Sequence, residues 1–207
     1  MASASEALRR TPEQHRSRRR VSAVLDAAEA LVTEHGLAPV TMTDIAGRAG
    51  MSLPALYRYF PDRAAVVRAL ALRAMAEDRE LVLACSRQAR NTSLEDAARG
   101  LVSAYRELES RPFRAAVRAA IAADPELGRL DLADTRANAE VLADAVMVTT
   151  GRTDRDTVLR DLLLVVHLAG EAVRLAELVG GDEGDALVDT FVTMITRQLG
   201  GDSRCCA

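Results

Sequence analysis

The residues best equipped to act on a partner stand in one short run, Leu56-Tyr57-Arg58-Tyr59-Phe60. Leu56 and Phe60 are spaced i, i+4 and belong to a core, which turns Tyr57, Arg58 and Tyr59 elsewhere, at least in part. A guanidinium between two phenols has an evident use. Arg58 can present its donor fork to guanine O6 and N7, discriminating by roughly 1–3 kcal/mol, or can hold a phosphate. The tyrosine hydroxyls can reach phosphate oxygens and fix register; the competing reading packs one of them into the head. Around this run stand Thr43 and Ser52, helix caps whose neighbouring amides can hold phosphate. Arg48 is a phosphate ligand or a solvated side chain. Ala55 is small enough for close approach to bases, Leu53 can meet a thymine methyl, and Arg63 can keep a phosphate contact.

These residues need a scaffold, and Thr41–Arg63 supplies its outline: a short helix, a turn at Gly50, a second short helix, and a third beginning after Pro61 and Asp62. Two small helices joined by a tight turn are the geometry that places a helix in the DNA major groove. Thr43 is expected to cap the first short helix, with Asp44 in its first turn and Ile45 and Ala49 inward. Ser52 is expected to cap the second, with Pro54 tolerated in its first turn. Ahead of them, Val21, Val24, Leu25, Ala28, Leu31 and Val32 recur at helical spacing and end at Gly36. Thr11, Pro12 and Gln14 look like the start of that helix, with residues 1–10 frayed. Arg16, Arg18, Arg19 and Arg20 on its first half form a solvated face or a set of phosphate contacts.

The remaining residues read as an all-α body. Apolar residues make up 49% of the 207-residue chain and aromatics 3%, so its core is aliphatic and helix-forming. Every one of the 27 basic residues is Arg. Residues 1–63 carry nine Arg and seven acids, a net of +2, whereas residues 64–207 carry a net of −5. That asymmetry fits a DNA-contacting head on an acidic body. Cys85, Cys205 and Cys206 make no disulfide framework, no signal-like or membrane-spanning run is present, and a soluble cytoplasmic protein is expected.

A long helix is expected after Asp62, with Val66, Val67, Leu70, Met75, Leu81 and Leu83 on its apolar face. Others follow from Ser93 to Arg111, from Phe113 to Ala123, from about Leu132 to Thr149, and from Asp154 to Val179. Residues 127–132 read as a connection. A last helix, capped by Asp182, ends in a flexible tail at 200–207. The stretch LLLVVHLAG is apolar nearly all round and must be covered on both sides; two such C-terminal helices can pair with the same two of a second subunit. His167 lies within that stretch, as a core, pocket or interface residue. Glu171 and Arg174 follow on the same face. Tyr105, Phe113, Arg118 and Met147 complete the ligand-site candidates, each with plain core or surface as its rival. No residues form a nucleophile, metal cluster or phosphate loop, so no cofactor, metal or catalytic site is expected; an enzyme would have to use His167 and Glu171 as acid and base.

From Val40 to about Leu70 the sequence resembles the DNA-binding region of the TetR (tetracycline-repressor) family. The resemblance rests on Thr43, Ile45-Ala46, Ala49-Gly50, Ser52, Leu56-Tyr57, Tyr59-Phe60 and Arg63, preceded by a helix ending in His35-Gly36. It departs from the family pattern at Gly47, Leu53 and Arg63. The resemblance implies a nine-helix homodimer with a three-helix helix-turn-helix domain at residues 1–63 and an effector-binding and dimerisation domain at 64–207. It implies a repressor that binds a palindromic double-stranded DNA operator and is released by a small molecule; the aliphatic body hints at a lipophilic one. The rival is a dimeric helical scaffold whose head no longer binds DNA.

Overall fold

The structure, a computed structural model, describes residues 12–89 and 91–200. Among these residues there are nine helices and no strand: α1 Pro12–His35, α2 Met42–Arg48, α3 Leu53–Tyr57, α4 Arg63–Ala89, α5 Leu94–Glu109, α6 Pro112–Ala123, α7 Pro125–Thr150, α8 Arg155–Val179 and α9 Gly181–Gly200. The fold is all-α, as the sequence predicts. The expectations for residues 1–10, the Thr11 cap, Cys205, Cys206 and the tail after Gly200 fall outside the described residues, as does the side chain of Gln14. Two compact units divide the chain, Met1–Leu70 and Ala71–Ala207, with the boundary inside α4.

In the first unit, α1 buries Val24, Leu25, Ala27, Ala28, Leu31 and Val32 and leaves Arg16, Arg18, Arg19 and Arg20 exposed. Gly36 closes it in the left-handed conformation (φ 76°), its amide donating to Val32 O at 2.8 Å. The cap of α2 is Thr41, not Thr43. Asp44 lies three residues after Thr41, the spacing a reciprocal box requires. The Asp44 amide donates to Thr41 Oγ1 at 3.2 Å, and the Thr41 amide donates to Asp44 Oδ2 at 2.9 Å. Thr43 is an exposed residue of the first turn. Inward positions of α2 are Met42, Ile45 and Ala46, whereas Ala49 is half-buried at the helix end. Gly50 makes the turn at φ 66°.

The second unit stacks α8 on α9 and α7, with α5 against α9. One cluster gathers Val82, Leu142, Ala143, Val146, Val158, Leu162 and Leu199; another gathers Val102, Val173, Ala176, Val188, Val192 and Ile195. Within α4 the buried residues of this unit are Ala71, Ala74, Met75, Val82 and Ser86, and Leu83 is exposed, contrary to expectation. Residues 127–132 are helical rather than a connection. Asp124 ends α6 and caps α7, accepting from the Glu126 amide at 2.8 Å, with Pro125 preset at the first helical position. Asp182 lies in the first turn of α9 instead of capping it. Gly180 and Gly181, both at positive φ, turn the chain so tightly that Gly180 O already accepts from the Gly184 amide at 3.0 Å. There α8 and α9 touch through backbone: a Cβ on Gly184 would stand 2.4 Å from Ala176 O.

Within this chain α8 is covered on one side only. Val158, Leu162, Val173 and Ala176 are buried, but Leu164, Leu168, Leu175 and Leu178 are exposed, Leu178 by 72%. No helix among the described residues is long and apolar enough to cross a membrane.

Candidate functional site

The polar face of the first unit is held from behind. Leu56 is fully buried and Phe60 nearly so. On α3 and the turn after it, Tyr57 and Arg58 are exposed, and Tyr59, Leu53 and Ala55 are half-buried. Five residues make a short helix, and its integrity depends on Pro54 in the first turn and on Ser52 O, which accepts from the Ala55 and Leu56 amides at 2.9 and 3.0 Å. Ser52 occupies the N-cap position, yet its side chain makes no capping bond.

Two arginines brace this face. Arg48 forms a two-point bridge to Glu34, Nη1 to Oε1 at 2.9 Å and Nη2 to Oε2 at 2.6 Å, joining α2 to the end of α1. The hydrogen bond from Arg48 holds the Glu34 carboxyl below the usual range. Arg63 Nη1 donates to Ala38 O at 3.3 Å, tying the start of α4 to the α1–α2 connection. The Thr41 hydroxyl and amide likewise hold the Asp44 carboxyl low. All of these groups are in solvent, so this unit offers donors at its surface and keeps its acids engaged.

The second unit holds a cavity of about 160 Å³ among α4, α5, α7, α8 and α9. Its wall is mostly apolar, with Leu101, Val102, Leu142, Val166 and Ile195 prominent. Asp78, Tyr105, Asp131, Asp134, Thr135 and Asn138 interrupt it. Burial pushes the Asp78 carboxyl up to about 6 against the pull of Arg114. Burial also raises the Asp131 and Asp134 carboxyls, the Tyr105 phenol and the Cys85 thiol.

Beside the cavity, Arg114 is only 2% exposed. It reaches Asp78 Oδ1 at 2.8 Å, Glu77 Oε2 at 2.9 Å and Glu109 Oε1 at 3.4 Å. Arg111 joins at Glu77 (2.8 Å) and Arg118 at Glu109. Burial of the Asp78 carboxyl outweighs the pull of this one guanidinium, which three carboxylates divide.

Of the seven ligand candidates read from sequence, Tyr105 lines the cavity. Phe113 is core, stacked under the Arg111 guanidinium at 4.7 Å. Arg118 serves Glu109, and Met147 packs against a core cluster. His167, Glu171 and Arg174 are exposed, with Arg174 paired to Glu171. Sequence reasoning missed Asp78, Asp131, Asp134 and Asn138. A signal was present: Asp131, Asp134, Thr135 and Asn138 share one helical stripe with Leu142 and Val146. Among the described residues, no group of three or more His, Cys, Asp or Glu could hold a metal ion.

Residues 24–70 match the family described as bacterial regulatory proteins, tetR family, and residues 92–201 match the tetracyclin repressor-like C-terminal domain. No curated protein matches the sequence. Solved structures do, as folds. A TetR-family transcriptional regulator from Mesorhizobium loti is 19% identical, with 87% of this chain and 96% of that one covered, at TM-score 0.68. LfrR from Mycobacterium smegmatis, in complex with proflavine, is 24% identical, with 88% and 97% covered, at 0.55. SmeT, the repressor of the Stenotrophomonas maltophilia multidrug efflux pump SmeDEF, is 20% identical, with 85% and 88% covered, at 0.62.

Proposed function

The chain belongs to the tetR family of bacterial regulatory proteins, and on that premise we propose that it is a repressor that binds a palindromic operator as a homodimer and is released by a small molecule. The observation that carries the reading is the exposed pair Tyr57 and Arg58, at the last residue and C-cap of a helix pinned by buried Leu56. Arg58 reads a base edge with Leu53 and Ala55 beside it. Tyr57 and Tyr59 set register on phosphate, and Thr43 and Ser52 stand at the helix starts. Arg48 and Arg63 act from the braces described above. DNA binding is assigned to residues 1–63, effector binding and dimerisation to 64–207.

The exposed leucines of α8 and Met194 of α9 are apolar side chains left in solvent by the single chain. Covering them with the same residues of a second copy would give the two half-site readers a palindrome needs. A proflavine complex and an efflux-pump repressor among similar folds support a small-molecule effector in the helical body.

The test is a gel-shift with DNA from upstream of the chain's own gene. Salt-sensitive binding, weakened by Arg58→Ala and less so by Tyr57→Phe, is the expected outcome. No binding to any upstream fragment would favour the scaffold reading, which Leu53 and the engagement of Arg48 by Glu34 support.

A further inference from the structure

The cavity wall is apolar, yet its charged groups are of one kind: Asp78 from α4, and Asp131 and Asp134 from α7 line it, and no Arg or His does. The charges around these acids are few. Asp78 meets Arg114, which Glu77 and Glu109 share; Arg79 stands 3.8 Å from Asp134; His167 acts on Asp131 through space.

Asn138 supplies a second, independent observation. It lines the cavity, is 4% exposed, and donates Nδ2 to Asp134 Oδ2 at 3.0 Å. That bond fixes the amide orientation, because a carboxylate accepts only from the NH2 side. It leaves Asn138 Oδ1 buried with no hydrogen-bond partner. A bare buried carbonyl oxygen is unfavourable and needs a donor.

We propose that the effector is an organic cation, an amine whose N–H groups are received by Asn138 Oδ1 and the carboxylates of Asp131 and Asp134, carried on an apolar body about one ring in size. The size follows from the volume: about 160 Å³ is close to the roughly 150 Å³ of an apolar cavity that takes benzene. The chemistry follows from the wall. An anion would face three carboxylates. A neutral hydrocarbon would leave Asn138 Oδ1 bare and strip water from the acids without replacing it. An organic amine supplies directional donors and buries its ring against Leu101, Val102, Leu142, Val166 and Ile195. The inference rests on the cavity being the effector site.

The test is calorimetric binding to the full chain of three ring-sized probes of one shape: benzylamine, benzyl alcohol and benzoate. The amine is expected to bind at least tenfold more tightly than either of the others. A smaller preference, or no binding by any of the three, overturns the proposal without recourse to a variant. In Asp131→Asn/Asp134→Asn, checked for an unchanged melting curve, amine affinity is expected to fall at least tenfold and alcohol affinity to hold within threefold. Retained amine affinity there also overturns it. Gel-shift on the same preparation separates the two readings. Amine preference without operator binding sinks the repressor alone, and operator binding without amine preference sinks the cation alone.

Discussion

In the N-terminal unit Glu34 and Asp44 lie in solvent, and each is kept ionised by a donor beside it, Arg48 for one and Thr41 for the other. In the C-terminal unit Asp78, Asp131 and Asp134 lie along a cavity, and burial pushes all three carboxyls up. The same functional group shifts in opposite directions because the two units use polarity differently. The first holds Glu34 and Asp44 charged at its surface by donors beside them and leaves Arg58 and the arginines of α1 exposed. The second accepts the cost of desolvating acids in its interior, a cost that a bound cation would offset.

The largest blow to this contrast is Arg114→Ala. It leaves Glu77, Asp78 and Glu109 without their shared cation and should cost about 3–5 kcal/mol, read as a lower urea midpoint at neutral pH. A midpoint within error of the parent's would mean that the buried network carries no weight. In the N-terminal unit, Arg58→Ala should weaken operator binding by roughly ten- to a hundredfold, from the value of a bidentate base contact, with stability unmoved because Arg58 is exposed. An equal loss on every DNA sequence would reassign Arg58 to phosphate.

Asp78 gives a sharper test through pH. Its folded value, about 6, exceeds the ordinary 3.8, so the folded state holds the proton more firmly than the unfolded one. The contribution to stability is present below pH 3.8 and lost as pH rises through about 6. The stability of the parent relative to Asp78→Asn should therefore decline across that window, by on the order of 1–3 kcal/mol. Denaturant curves that run parallel between the two proteins would refute it. Smallest is Thr41→Ala, which removes the α2 cap and should cost about 1 kcal/mol. The sign for Asp44 is opposite: its lowered carboxyl stabilises at neutral pH, and that contribution is lost as pH falls below the ordinary carboxylate range. Thr41→Ala should flatten this acid limb in a pH series of melting temperatures.

Local signals reported the fold well. Gly36, Ser93 and Asp154 end or start helices where the sequence places them, because a positive φ or a side-chain cap is decided within four residues. Leu56 and Phe60 are buried as their spacing requires. Failures came where two local rules competed. Thr43 and Thr41 are both good caps, and only the distance to Asp44 separates them. Asp124 caps a helix whose weak apolar pattern hides its start. The interior polar groups were hidden for another reason. Arg114 drew no notice in the sequence, because the partners of its buried guanidinium, Glu77 and Asp78 of α4 and Glu109 of α5, lie on other helices. Of the readings open for His167, the core one does not hold: apolar neighbours imply a core, yet that side of α8 is exposed in the single chain, and the interface reading stays open.

The contact at Gly184 constrains motion as well as packing. Where backbone lies on backbone, no layer of side chain is left to deform. A slip of α9 by one turn along α8 would bring Val188 against Ala176 O, where not even a methyl group fits. The two helices are therefore geared in a single register. What the sequence draws as two rods is, at this contact, a pair whose backbones meet without side chains between them.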